Sequence, residues 1–303
     1  MNVGLIDIDG TKFPTLTLMK LSAWHKQKGD TVHLITVDDV LGGNLFLSLD
    51  KIYASCIFDW NYKTARAIAD CGVEVGGSGW DMSIKLPYYI EHIYPDYSLY
   101  GDDKTAVGFM TRGCPRRCPF CIVKNKEGVL SVKVANLSEF WNGQKIIKLL
   151  DPNLLACPEH LDLLRQLIDS KAWVDFTQGV DARLLNDKNL ELILKVKTKM
   201  IHFAWDNPRD KTVPEALLKY KAAKGGNIDC RKNAVYVLTN YWSNFEQDLE
   251  RVYWLRENGF DPYIMIYDKA SAPKETRLLQ RWVNNKIIFR VCETFSDYDS
   301  RLG

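Results

Sequence analysis

No apolar run in this chain approaches the ~18 residues a membrane-crossing helix needs, which excludes a spanning helical segment. The start, Met1-Asn-Val-Gly-Leu-Ile-Asp7, runs directly into a strand pattern. It has no basic region followed by a cleavage site, so no signal peptide is expected. Excess charge is also missing. Forty basic against 38 acidic residues leave a net +2, too balanced for a whole-protein electrostatic grip on nucleic acid, so stable nucleic-acid binding is not indicated. There is no Gly-x4-Gly-Lys-Ser/Thr loop for a nucleotide triphosphate and no second cysteine-rich segment.

What is present describes a globular protein. Its 303 residues, 46% hydrophobic and 26% charged, make one large domain or two ordinary ones. Five of its eight cysteines (Cys56, Cys71, Cys157, Cys230 and Cys292) stand singly. They read as free thiols in a reducing cytoplasm. The other three, Cys114, Cys118 and Cys121, fall together in Gly113-Cys-Pro-Arg-Arg-Cys-Pro-Phe-Cys-Ile122. Pro115 and Pro119 forbid a regular helix there, so this is a loop, and its thiolates can reach one metal centre. Structural zinc closes its shell with four ligands, normally two separated pairs, and no second pair exists. A cubane iron–sulfur cluster held by three cysteines keeps one iron free for another ligand. Three clustered thiols without a cofactor, or a zinc knuckle lacking its histidine, are the alternatives.

The Cys-x3-Cys-x2-Cys triplet, with Phe120 directly before the last cysteine, resembles the signature of the radical S-adenosylmethionine (SAM) enzymes. The resemblance implies that Cys114, Cys118 and Cys121 ligate a [4Fe–4S] cluster and that Phe120 lies near the adenine of SAM. It implies that SAM chelates the open iron through its amino and carboxylate groups. Reductive cleavage would then release a 5′-deoxyadenosyl radical that abstracts hydrogen from a nucleotide, peptide or small metabolite. The electron would come from an external reductant such as flavodoxin or ferredoxin. A non-catalytic iron–sulfur electron carrier or redox sensor is the competing reading.

Strand and helix patterns divide the chain. Residues 1–94 alternate short apolar strands at Val3–Asp7, Thr31–Val37, Lys51–Phe58 and Val73–Val75 with helices at Leu16–Lys28 and Tyr62–Cys71, a small Rossmann-like parallel α/β domain. Residues 95–104 are polar and turn-rich and read as a linker. Residues 105–277 repeat strand and helix six times, which fits an open, partial (β/α)6 TIM-like barrel, the fold the resemblance also implies. A helix is expected at Leu137–Asn142, and residues 278–303 read as a capping helix and tail. The first domain resembles the cobalamin-binding type that precedes many radical SAM barrels. That type carries an Asp-x-His-x-x-Gly loop after its first strand. Here the loop reads Asp7-Ile-Asp-Gly-Thr-Lys-Phe-Pro14, without histidine, so cobalamin is not expected. Gly76-Gly-Ser-Gly79 is either a phosphate cradle or a tight turn.

In barrels of this kind function gathers at the C-terminal strand ends. Asp151-Pro-Asn153 stands where the resemblance places acceptors for the SAM amino group, although Asp-Pro-Asn is equally good turn chemistry. Gln178-Gly-Val-Asp181-Ala-Arg183 resembles a stretch of the cobalamin-type radical SAM barrels, which implies a guanidinium for the SAM carboxylate with Gln178 and Asp181 to bind ribose or orient it; an Asp181–Arg183 surface turn is the alternative. Asp206 aligns with a ribose-contacting position, and Asn240-Tyr-Trp242 brings aromatics to the same rim. Arg116 and Arg117 flank the cysteines and can face an anion. His92, His160 and His202 read as structural, and no acid, base or hydrogen donor is identified. A methylthiotransferase would need three further cluster cysteines, and only Cys56 and Cys71 precede the triplet.

Overall fold

The computed structural model describes residues 1–11, 13–43, 48–299 and 301. Lys12 of the Asp7–Pro14 loop, and Ser300, Leu302 and Gly303 of the expected tail, lie outside them.

The first sheet has four parallel strands, β1 (Asn2–Asp7), β2 (Thr31–Ile35), β3 (Lys51–Ser55) and β4 (Glu74–Gly76), in the order β2-β1-β3-β4. Alternation along β1 explains why helices are needed on both faces. Val3 and Leu5 pack with Leu18 and Leu21 of α1 (Leu16–Gln27). Ile6 turns the other way, against Ala65 and Ile68 of α3 (Tyr62–Asp70). A short α2 (Val37–Leu41) follows β2, closed by a reciprocal capping box between Thr36 and Asp39. The chain leaves β1 toward β2 and returns to β3 on the other side, so the sheet has a switch point between β1 and β3.

After α4 (Tyr88–Glu91) the stretch 95–104 is packed rather than loose. Asp96 accepts from Ser22 Oγ at 2.6 Å and pairs with Lys26 at 2.6 Å. Tyr97 is buried, donating its hydroxyl to Phe140 O at 2.6 Å and accepting from Val107 N at 3.1 Å. This seam fastens α1 to the second sheet.

The second sheet has six parallel strands in sequential order: β5 (Thr105–Gly108), β8 (Ile146–Leu149), β9 (Trp173–Phe176), β10 (Thr198–Ala204), β11 (Asn233–Thr239) and β12 (Asp261–Ile266). Between β5 and β8 lies an antiparallel hairpin, β6 (Thr111–Arg112) with β7 (Val132–Lys133), enclosing α5 (Val123–Lys126). The crossovers are α6 (His160–Ser170), α7 (Asp187–Lys195), α8 (Thr212–Ala223) and α9 (Phe245–Glu257). α10 (Lys274–Asn284) and α11 (Lys286–Val291) finish the layer. β5 and β12 are the two edges, so the barrel is open, as the alternating pattern implies. The helix expected at Leu137–Asn142 shrinks to a 3-10 turn at Leu137–Glu139, its buried Leu137 and Phe140 packing under β5.

Ile147, Leu149, Val174, Phe176, Ile201, Phe203, Val235, Val237 and Ile264 point to the helices and form the core. The intervening residues face the opposite side and are polar or aromatic: Lys148 beside Asp175, then His202, and Tyr236 beside Tyr263. Among the described residues no helix is long and apolar enough to cross a membrane.

Candidate functional site: a cysteine loop at the mouth of an open barrel

The cysteine loop is the insert within the β6–β7 hairpin, so it rises from the C-terminal end of β5, the edge of a parallel sheet where ligands gather. Gly113 lets it close. Its φ is +85°, and a Cβ there would stand 2.1 Å from Leu130 O on the facing limb, so only glycine allows the limbs to approach. The Cys114 amide donates to Gly128 O at 3.2 Å and the Cys121 amide to Cys118 O at 3.0 Å. Arg112 ties the base down, pairing with Glu91 at 3.3 Å and Glu127 at 3.5 Å while its guanidinium lies 3.8 Å over the Phe109 ring.

All three thiols are half-buried and unbridged. Burial pushes the Cys118 and Cys121 thiols above the usual thiol range, with the nearby Asp206 carboxylate adding to both. Among the described residues no three Cys, His, Asp or Glu side chains converge closely enough to share one ion. A cubane takes each thiolate on a separate iron, so the donor set fits a cluster.

Three of the expected side chains meet beside this loop. Asn153 follows the C-terminal end of β8 and is buried; its Nδ2 reaches Cys114 Sγ at 3.4 Å and Asp181 Oδ2 at 3.3 Å. Asp181, after β9, receives Arg183 Nε at 2.7 Å and Arg116 Nε at 2.6 Å. Arg183 continues to Asp210 at 3.3 Å. Asp181 is partly buried, but the Arg183 and Arg116 guanidiniums hold its carboxyl below the usual range despite that burial. Asn153 Oδ1 is buried with no donor, an unspent acceptor in an otherwise satisfied network.

The remaining candidates divide. Phe120 packs edge-to-face on Tyr241 at 5.4 Å and on Trp242 at 5.3 Å, and Tyr241 packs on Tyr267 at 4.7 Å, forming an aromatic rim. Asp206 ends β10 facing Cys118; burial pushes its carboxyl up to about 6, against the pull of Arg183 and Arg251. Gln178 is exposed and makes no side-chain bond to this network among the described residues.

Asp151 needs correcting. Expected as an acceptor for a ligand ammonium, it is buried and spends its carboxylate on Met110 N at 3.2 Å, Thr111 N at 2.5 Å and Thr111 Oγ1 at 2.7 Å. It fastens β8 to the turn beneath the cysteine loop. Of the histidines, His92 contacts Glu139 at 2.7 Å, His160 contacts Cys157 O at 2.7 Å, and His202 contacts Phe176 O at 3.0 Å while stacking on Tyr236.

One residue had no sequence signal. Arg251 of α9 is 2% exposed and pairs with Asp248. Its guanidinium also donates to the carbonyls of Trp205, Asp206 and Leu238, the last at 2.9 Å. It thereby clamps the ends of β10 and β11 that carry Asp206 and the Asn240–Trp242 rim. Arg116, expected to face an anion beside the cysteines, is paired with Asp181 of this chain.

No family model and no curated protein matches the chain. Among solved structures, the crystal structure of Streptococcus suis SuiB bound to precursor peptide SuiA matches at 13% identity with a TM-score of 0.42. The match covers 90% of this chain and 60% of that one. A likeness that distant bears on neither activity nor ligand.

Proposed function

We propose that this chain is a radical SAM enzyme whose Cys114, Cys118 and Cys121 ligate a [4Fe–4S] cluster at the mouth of the open barrel. One observation carries the reading. Three thiols share a loop at the C-terminal edge of a sequential six-stranded parallel sheet, and Asn153 bridges that loop to the Asp181–Arg183 pair. When bound and reduced by an external electron donor such as flavodoxin or ferredoxin, such a cluster would supply the electron for reductive cleavage of SAM.

The chain's own residues bind and enclose. Asn153 Oδ1, buried and undonated, is the acceptor for the SAM ammonium. Arg183 presents a fork to the SAM carboxylate, and Asp181 fixes its orientation. Arg116 shares Asp181 and Asp210 pairs with Arg183, so the two guanidiniums of the network are matched by two carboxylates. The Phe120–Tyr241–Trp242 rim offers an apolar wall to adenine and excludes water. Asp206 faces the same loop and is placed to accept a ribose hydroxyl.

The test is anaerobic reconstitution with iron and sulfide, then dithionite and SAM. Four irons per chain and release of 5′-deoxyadenosine are expected, with both lost in Cys118→Ala. A fully loaded protein that leaves SAM intact would instead make the chain an electron carrier or redox sensor.

A further inference from the structure

The floor of the barrel, at the N-terminal ends of its strands, carries charge that the cysteine site does not use. Lys224, Asn227, Asp229, Arg231, Lys232 and Asn233 line one open cavity of about 560 Å³ there, between the end of α8 and the start of β11. Ligand pockets span about 300–1,000 Å³ but are mostly apolar, whereas these walls are polar. The neighbouring strand β10 runs seven residues. Its two ends therefore lie about 20 Å apart, which separates this cavity from the mouth where the cysteines stand.

The charges in it do not balance. Three of the lining side chains are basic and one, Asp229, is acidic, and Asp229 is taken by Arg231 at 3.1 Å. Among the described residues neither Lys224 nor Lys232 has a carboxylate within ion-pair distance. Burial and the Lys232 ammonium hold the Lys224 amine below the usual lysine range, with Asp229 offsetting them only in part. The excess continues past the cavity: Lys232 Nζ lies 5.3 Å and Lys197 Nζ 4.4 Å from the centre of the Trp173 ring. A helix dipole accounts for a lysine such as Lys224 at the end of α8, but not for Lys232, which precedes β11.

The cavity is framed by buried contacts. Asn233, 1% exposed, accepts from the Tyr220 hydroxyl at 2.8 Å and donates to Asp229 O at 2.8 Å. Asp229 Oδ1 accepts from Arg231 N at 3.1 Å, and Ile228 is buried in the core beside Gly259. The loop from α8 to β11 is thus pinned from within, while Arg231 and Lys232 remain exposed.

We propose that this cavity binds a phosphate-bearing anion, held by Lys224, Arg231 and Lys232, apart from the cysteine site and independent of it. Charge decides the class. Two cations remain once Arg231 and Asp229 cancel, and a phosphate monoester brings about −1.5 to −2 at neutral pH where a carboxylate brings a single charge. Its oxygens also bridge two ammonium groups that otherwise repel each other. A free polyphosphate and the backbone of a single RNA strand share this chemistry. Lys197, outside the cavity, offers a further contact to a ligand long enough to pass Trp173.

The experiment is isothermal titration of the full chain, without added iron, with inorganic pyrophosphate and with a short single-stranded oligoribonucleotide. Saturable binding is expected, weakened about tenfold when Lys224→Gln and Lys232→Gln are combined. Combining Lys63→Gln with Lys274→Gln removes the same charge elsewhere and should leave binding unchanged. Lys232 is exposed and Lys224 half-buried, so their double variant keeps the native circular dichroism. Tighter binding of pyrophosphate identifies a free polyphosphate. Tighter binding of the oligonucleotide identifies a strand, with the slope of log affinity against log salt reduced by about one in Lys197→Gln. Absence of saturable binding below about 1 mM, equal binding by the cavity double variant, or an equal loss in the control overturns the proposal. None of these readouts depends on the cluster.

Discussion

Replacing Arg251 with methionine should unfasten the mouth of the barrel while keeping its volume filled. The guanidinium is 2% exposed and every direction in which it donates is occupied: Asp248, the carbonyls of Trp205, Asp206, Leu238 and Gln247, and Ser243 Oγ. Methionine leaves the Asp248 carboxylate buried at 2% side-chain exposure without a counter-charge. Breaking a buried pair from one side costs about 3–5 kcal/mol. Each orphaned buried carbonyl adds about 1–3 kcal/mol, reduced where water enters. Against a total of about 5–15 kcal/mol, a loss of 3–5 kcal/mol lowers the melting temperature by about 10 °C. Urea melts of the single variant and of Arg251→Met with Asp248→Leu separate the two contributions. If the charge pair alone matters, the double variant recovers nearly all of the loss. If the carbonyl clamp matters, as the contacts indicate, it recovers only the share belonging to Asp248. A single variant within 1 kcal/mol of the parent, about the net worth of one ordinary hydrogen bond, would refute the argument.

Three further outcomes follow from the site. Gly113→Ala drives a Cβ into Leu130 O from a left-handed backbone, so reconstituted iron should fall well below that of the parent while far-ultraviolet dichroism holds; full iron loading would contradict the closed-limb geometry. Asn153→Ala should keep its iron but weaken SAM binding about tenfold by isothermal titration, the worth of one hydrogen bond to a charged group; unchanged affinity removes Asn153 from the ligand set. Asp151 has a carboxyl pushed up to about 6 by burial, partly offset by Thr111 and the Met110 amide. Its native pKa exceeds the unfolded ~3.9, so the native state holds more protons between those values, and this group's contribution is full below pH ~4 and lost as pH rises through about 6. Asp151→Asn should flatten that part of the stability–pH curve and also destabilise by about 1–3 kcal/mol, its amide nitrogen meeting a backbone donor. An unchanged slope between those pH values would sink the assignment.

Much of the fold was legible because it rests on short-range periodicity. Strands such as β9, which alternates buried and exposed residues, and β11, a continuous apolar run, show themselves within a few residues, as do helices of period 3.6. The sequential order of the six strands accords with the general rule that strands joined by short helical crossovers tend to lie side by side. Short elements escaped for the same reason. α2, closed by its capping box, the four-residue α4, and the two-residue strands β6 and β7 of the hairpin have too few residues to display a period. The stretch 95–104 looked like a linker by composition, yet Asp96 and Tyr97 find partners in α1 and near Phe140, far away in sequence.

The sequence by itself determined that three thiols stand together on a proline-broken segment, and that the loop after β1 carries no histidine. Those are local properties of spacing and residue type. Only the tertiary structure decided which polar residues that loop meets. Asp151 and Asn153 stand two apart in the chain and share the same turn chemistry. Yet one is folded under the loop as a strut while the other reaches Cys114 and Asp181 with an acceptor to spare, because the choice depends on strand ends brought together from β5, β8 and β9. The same holds for Arg251, whose acceptors on Trp205 and Asp206 lie dozens of residues away along the chain and a few ångströms away in space.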